Sequence, residues 1–154
     1  MLYYAIVAGL MFLMPGLSIV LDVLPGSQEF APGLIAKWYV FWAVGLRLGL
    51  AGLRQIFQPG FTAREILGLS SDDALMLVRE LGFANVAFGA LGVGALWEPD
   101  WRLAAALAGG IFYALAAINH SRDRERNTRQ NVALFSDAFA ALVLLGLCAQ
   151  AAFA

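Results

Sequence analysis

Residues Ile35 to Phe57 read IAKWYVFWAVGLRLGLAGLRQIF, an apolar run interrupted near its middle by Arg47. About 20 residues of helix cross the hydrocarbon core of a bilayer, so this segment is long enough to span. A guanidinium at the centre of a spanning helix costs roughly 2.5–3.5 kcal/mol on insertion scales, so it is normally paired, solvated in a cavity or functional. The face that carries Arg47 must therefore turn away from lipid. Arg54 follows seven residues later, on the same face of a helix. Gly45, Gly49 and Gly52 fall on roughly the opposite side, where small residues allow helix backbones to approach closely. With both faces against protein, this helix is expected at the centre of a bundle.

The rest of the chain agrees. It is 154 residues long, 61% hydrophobic and 14% charged, with a mean hydropathy of +0.75. Soluble domains are about 45–50% apolar and about 25% charged, so this composition belongs in a bilayer. A net charge of −1 gives no reason to expect nucleic acid as a partner. Cys148 is the single cysteine, which excludes an internal disulfide and Cys-x-x-Cys chemistry. His120 is the single histidine and cannot by itself build a multi-histidine metal site or a bis-histidine haem site. No cofactor or metal is expected.

Five segments are apolar enough to span, at about 2–24, 35–57, 79–97, 102–118 and 132–153, within one domain covering 1–154. The first stops at Pro25-Gly26. It is too long for a signal-peptide core and lacks a basic leader and a small-residue cleavage site. Pro15-Gly16 should kink it, leaving a backbone group for neighbouring helices to satisfy. Pro59-Gly60 closes the second. Glu98-Pro99-Asp100 makes a tight turn, so the third and fourth spans are antiparallel neighbours. Between the second and third, Thr62-Ala-Arg-Glu65 reads as a capping box for a short interfacial helix, with another start at Ser70 or Ser71. The predicted fold is all-α, a membrane bundle of about five transmembrane helices.

Basic residues orient it. Arg54, Arg64, Arg79, Arg122, Arg124, Arg126 and Arg129 lie at one end of the spans, and only Lys37 and Arg102 at the other. The positive-inside rule then puts the N-terminus in the cytoplasm and the C-terminus outside. Trp38, Trp42, Trp97 and Trp101 all fall at the outer ends, as an interfacial aromatic belt would.

Glu80, Asn85 and Asp137 are the candidate partners of the buried arginines. At about 1.5 Å per residue, Asp137 and Asn85 lie roughly 9 Å from the cytoplasmic end and Arg47 roughly 15 Å. Arginine can reach toward the cytoplasm, so Arg47 is expected to pair with Asp137 or Asn85, and Arg54 with Glu80. Asn119, His120 and Ser136 should line the same half. Stripes at Gly82, Asn85, Gly89 and Gly92, and at Gly109 or Gly110, Tyr113, Ala117 and His120, mark the facing sides of the third and fourth helices. Gly89-x-x-Gly92-x-Gly94 lacks the strand that a nucleotide-binding loop requires and is read as packing. Cys148, on the Asp137 face, is read as a packing residue, and the mixed-charge run Arg122–Arg126 as a solvated loop that can also touch lipid headgroups.

The motifs Trp42-Ala-Val-Gly-Leu-Arg47, Gly52-Leu-Arg-Gln55 with Phe61-Thr-Ala63, Glu80-Leu-Gly-Phe-Ala-Asn85, Ala108-Gly-Gly-Ile-Phe-Tyr113 and Ser136-Asp137 run in this order between residues 38 and 145. Together they resemble a family of small bacterial multi-pass membrane proteins of unknown function. The resemblance implies a bacterial inner (plasma) membrane protein and carries no activity with it.

Two functional readings compete for Arg47, Arg54, Glu80, Asn85, Asn119, His120 and Asp137. In the first, they form an internal network that fixes the bundle of a structural or accessory protein, a homo-oligomer or a subunit of a larger membrane complex. In the second, they form an ion or anionic-ligand site in a transporter or channel component, although no inverted repeat supports it. An enzymatic reading is weakest, because no nucleophile, metal cluster or cofactor motif joins Asp137 and His120. A cavity open to one side at Arg47 would favour the second reading; a dry, fully paired network would favour the first.

Overall fold

The computed structural model describes every residue except 25, 27, 123, 124 and 154. Its elements are all helices: α1 (Leu2–Val23), α2 (Pro32–Phe57), the short α3 (Phe61–Ile66), α4 (Ala74–Gly94), α5 (Trp101–Arg122) and α6 (Thr128–Phe153). All but α3 are long and apolar enough to cross a membrane. Leu21, Phe83, Leu115, Phe135 and Leu142 are among the large apolar side chains that point outward. The helices run longer than the apolar segments at several ends. α5 continues four residues past Ile118, and α4 begins at Ala74 rather than near Arg79. Backbone hydrogen bonding carries a helix through polar residues that hydropathy alone reads as its end.

The position of α4 against α2 is set by glycine. A Cβ at Gly92 would sit 2.4 Å from the Gly45 nitrogen, one at Gly89 2.5 Å from the Gly49 Cα, and one at Gly52 2.7 Å from the Gly82 carbonyl oxygen. Side chains of any size at these positions would force the two backbones apart. The α5–α6 pair also packs along most of its length, with Gly110 against Leu144 and Leu145. The buried core between the pairs is built mainly from small and branched residues, including Val40, Ala43, Val44, Ala105, Ala140 and Leu144.

α1 shows how a helix defect is repaired. Pro15 has no N–H, so the α-helical donor to the Met11 carbonyl is missing. Tyr39 Oη from α2 donates to that carbonyl at 2.7 Å. Gly9–Leu13 just before it, Val40–Leu48 in α2, and all of α3 are wound as π-helix, in which each amide reaches five residues back. Gly26 follows α1 with φ of 70°, a left-handed geometry suited to a helix stop; its expected companion Pro25 lies outside the described residues, as does Arg124 of the basic loop.

The chain runs up and down, so Arg54, Arg64, Arg79, Arg122, Arg126 and Arg129 gather at one end and the four tryptophans at the other. At the tryptophan end, Asp22 accepts hydrogen bonds from Lys37 at 2.8 Å and Trp38 at 2.9 Å, and Trp42 donates to Ser18 at 2.9 Å. The expected capping box is not formed. α3 begins two residues earlier than such a cap would set it, at Phe61, with Gly60 before it and no side-chain cap. Before α4, Ser71 Oγ instead accepts from the Asp73 amide at 3.2 Å, and the helix starts only at Ala74.

The glycine crossing makes a direct prediction. Gly89→Ala, whose new methyl meets the Gly49 backbone, should cost about 1–3 kcal/mol by overpacking. Gly146→Ala, with nothing within 4 Å, should be neutral or slightly stabilising. Thermal unfolding in mild detergent compares the two, and equal midpoints would mean that α2 and α4 are not in close contact.

Candidate functional site

Arg47 lies near the end of the π-wound part of α2, and its side chain meets three other helices, α1, α5 and α6. Nη2 donates to Asp137 Oδ1 at 2.7 Å and to Ser136 Oγ at 2.8 Å, both on α6. Nη1 approaches Met11 Sδ on α1 at 3.4 Å. The guanidinium carbon lies 4.9 Å from the centre of the Tyr113 ring on α5. Tyr113 Oη in turn donates to the Ala43 carbonyl at 2.5 Å, one turn along α2. Side-chain exposure is 12% for Arg47 and 9% for Asp137, so this is a buried ion pair. Of the two partners considered for Arg47, the fold supplies the carboxylate. His120 Nε2 stands 3.9 Å from the other oxygen of Asp137.

Asn85 occupies a separate position one step nearer the arginine-rich end. It is buried, and Nδ2 donates to Gln55 Oε1 at 2.8 Å, while its Oδ1 has no partner. Arg54 does not pair with Glu80. Its guanidinium lies over the Phe61 ring at 3.6 Å, and its buried Nε has no hydrogen-bond partner. Glu80 is exposed. At about 100° per residue it lies some 200° around α4 from Gly82, which faces α2, so helical geometry turns it away from Arg54.

A cavity of about 580 Å³ opens beside these groups. Arg47, Arg54, Asn85, Asn119, His120 and Asp137 all line it, and Glu80 does not. Thus six of the seven residues singled out from the sequence come together and one stands apart. The cavity lies between the α2–α4 pair and α5. α5 is held close to α2 at Gly109, where Val44 leaves no room for a Cβ, while the Gly49–Phe57 part of α2 stands farther from α5. α3 covers its arginine-rich end, contributing Phe61, Thr62 and Ile66. That helix is tied to α6 by an ion pair between Arg129 and Glu65, and by Asn127 Nδ2 donating to the Glu65 carbonyl at 3.2 Å. Leu50 and Leu115 line the cavity and are also exposed on the outer surface, so one side of it is open.

Gln55, Tyr113, Phe61 and Met11 complete the site without having been picked out as functional residues. Gln55 had a readable signal: Arg47, Ala51, Arg54 and Gln55 follow the i, i+4, i+7, i+8 spacing of one helix face. Phe61 had none, because its position depends on how the chain turns at Pro59-Gly60. Among the described residues, no three His, Cys, Asp or Glu side chains assemble as a metal site.

The Arg47–Asp137 pair should matter more to stability than any surface pair. Arg47→Ala leaves a buried carboxylate uncompensated and should cost about 3–5 kcal/mol. Arg64→Ala removes a pair to Asp72 in which Arg64 is 58% exposed, and should cost about 0–1 kcal/mol. Exchanging the charges, Arg47→Asp with Asp137→Arg, should recover part of the loss in a detergent melting assay; no recovery would point to a different partner.

No curated protein and no solved structure matches the chain. A family model does, over residues 1–153, and its description is "Family of unknown function (DUF6790)". The match takes in α1, which carries none of the motifs from which the resemblance was drawn. Extending over every residue of the five long helices, it shows that the chain belongs to this family of unknown function.

Proposed function

We propose that this is a multi-pass integral membrane protein whose cavity beside Arg47 binds a small polar or anionic ligand, with the Arg47–Asp137 pair bracing the bundle around it. The observation that carries this reading is the pairing of a roomy cavity with buried polar atoms left unpartnered in its wall, Arg54 Nε and Asn85 Oδ1. Ligand sites typically occupy about 300–1,000 Å³ and combine apolar walls with a few convergent polar groups. Intramembrane ionisable residues favour such a site over accident. The space beyond Arg47 toward the tryptophan end is filled by Val40, Val44, Ala105, Ala106 and Leu144. This favours a site reached from one end over a continuous pore.

The structural reading keeps a specific observation of its own. Every donor of Arg47 near α6 has an acceptor, which is the arrangement of a brace. Both roles fit one residue set, since a brace at the head of the cavity also fixes its shape. We infer that the arginine-rich end is cytoplasmic, as the positive-inside rule favours, and that the membrane is a bacterial inner membrane, as the motif resemblance implies.

Two experiments test this reading. Ala116→Trp fills the cavity from α5. The native chain, purified in mild detergent, should carry a small molecule in native mass spectra that the tryptophan variant lacks while still eluting as a folded species. Equal occupancy in both would remove the cavity as the site. For orientation, single cysteines at Ser121 and Glu98 in a Cys148→Ser background should react differently with a membrane-impermeant maleimide on intact cells. Glu98→Cys is expected to label and Ser121→Cys to stay unlabelled until the cells are opened.

A further inference from the structure

Which ligand the cavity takes can be read from what its wall lacks, granted that the cavity is a ligand site as proposed above. Arg47 is already committed: its guanidinium serves Asp137, Ser136 and Met11. Arg54 is the uncommitted cation. Among the described residues it meets no carboxylate, only the Phe61 ring, and its buried Nε lacks an acceptor. An acceptor with negative charge is what this position calls for. Asn85 asks for the opposite partner. At 2% exposure its Oδ1 is a buried acceptor with no donor, since its amide nitrogen is spent on Gln55. Arg54, Gln55 and Asn85 all line this one cavity.

A head group that meets both must carry an anionic oxygen and a hydroxyl. A fully ionised carboxylate supplies only the first, whereas a phosphate monoester, with a second pKa of about 6, supplies both in its monoanion. The remaining wall is largely apolar, with Leu81 and Phe112 leading to the open side at Leu50 and Leu115. The occupant therefore needs an apolar portion beyond its head. At about 30 Å³ for a water-sized group, 580 Å³ holds roughly 20 such groups, the scale of one short chain and not of a two-chain lipid.

We propose that the cavity binds a single-chain amphiphile with a phosphate-monoester head, the phosphate on Arg54 and Asn85 and the chain leaving between Leu50 and Leu115. Open access at that side lets such a molecule enter laterally from the bilayer, while the arginine-rich end attracts its charge.

The test uses the full chain in a non-ionic detergent with three probes of equal chain length: dodecyl phosphate, dodecanol and dodecyltrimethylammonium. Calorimetric titration should show one dodecyl phosphate bound per chain, more tightly than either comparator. Arg54→Gln should weaken that binding by about tenfold or more, as expected on losing a charge-assisted bond, and Ala116→Trp should abolish it. If dodecanol or the ammonium binds as tightly and Ala116→Trp removes every probe, the cavity remains a ligand site and the phosphate assignment is overturned. If no probe binds, or Ala116→Trp leaves binding unchanged, the cavity reading fails and this proposal with it. The ranking of the three probes on the unaltered chain decides the sign of the charge even if Arg54→Gln does not fold.

Discussion

A guanidinium and a carboxylate held 2.7 Å apart in a closely packed helical interior constrain almost everything around them. Each ion alone would carry a desolvation penalty of several kcal/mol, and their attraction offsets it only when geometry and further hydrogen bonds are good. Those conditions dictate positions. α6 must bring Ser136 and Asp137 to the middle of α2, α5 must place the Tyr113 ring beneath the guanidinium, and α1 must present Met11. Because Arg47 fixes one face of α2 against three helices, only the opposite face remains for α4. The glycines at 45, 49 and 52 make that face flat enough for backbone to meet backbone. The central place of α2 thus follows from two requirements on two sides of one helix.

The cavity is a geometric consequence of the same arrangement. α4 is fastened to α2 along its length by glycine, and α5 is fastened to α6. α5 reaches α2 closely only near Gly109 and through the Tyr113 bond to the Ala43 carbonyl. Two stiff pairs joined at one end diverge at the other. The space between them holds the polar residues that lie past Arg47, and the turn after α2 lays α3 across its mouth. Packing is dense where small residues let helices touch and open where they do not, so the distribution of glycine along α2, α4 and α5 determines where a ligand could fit.

Much of this was legible in the sequence, for a physical reason. Apolar length, the face shared by Arg47 and Arg54, the glycine stripes and the repair needed at Pro15 are all local or periodic properties of a helix. Hydropathy located five long segments, and depth counting along α2 and α6 put Asp137 within reach of Arg47. What failed depends on rotation and on turns. Depth alone made Glu80 a partner for Arg54, but angular position on α4 excludes it. The ring that covers Arg54 belongs to α3, whose placement is set by the turn at Pro59-Gly60, where no periodicity operates. The π-wound stretches also leave no mark in composition, so the shift they impose on α2 around Arg47 had to come from the structure. Gln55 lay within reach of the spacing argument, yet a neutral amide in a run of apolar residues draws less notice than a charge.

The contrast between the two buried arginines bears most directly on chemistry. Drawing Arg47 away to serve a ligand would orphan Asp137, at about 3–5 kcal/mol, more than a single neutral hydrogen bond returns. Arg47 therefore acts as a fixed part of the wall, its charge cancelled by its neighbour. Arg54 is held by stacking on one aromatic ring, an interaction of about 0.5–2 kcal/mol, and by no carboxylate among the described residues. A charged ligand oxygen can compete with that ring, because it would satisfy a buried N–H that the ring leaves bare. In surroundings of low effective dielectric the same unmatched charge penalises a cation and leaves a neutral group without gain. Selectivity for charge sign in the proposed site would then arise from how differently the fold has neutralised two arginines on one face of one helix.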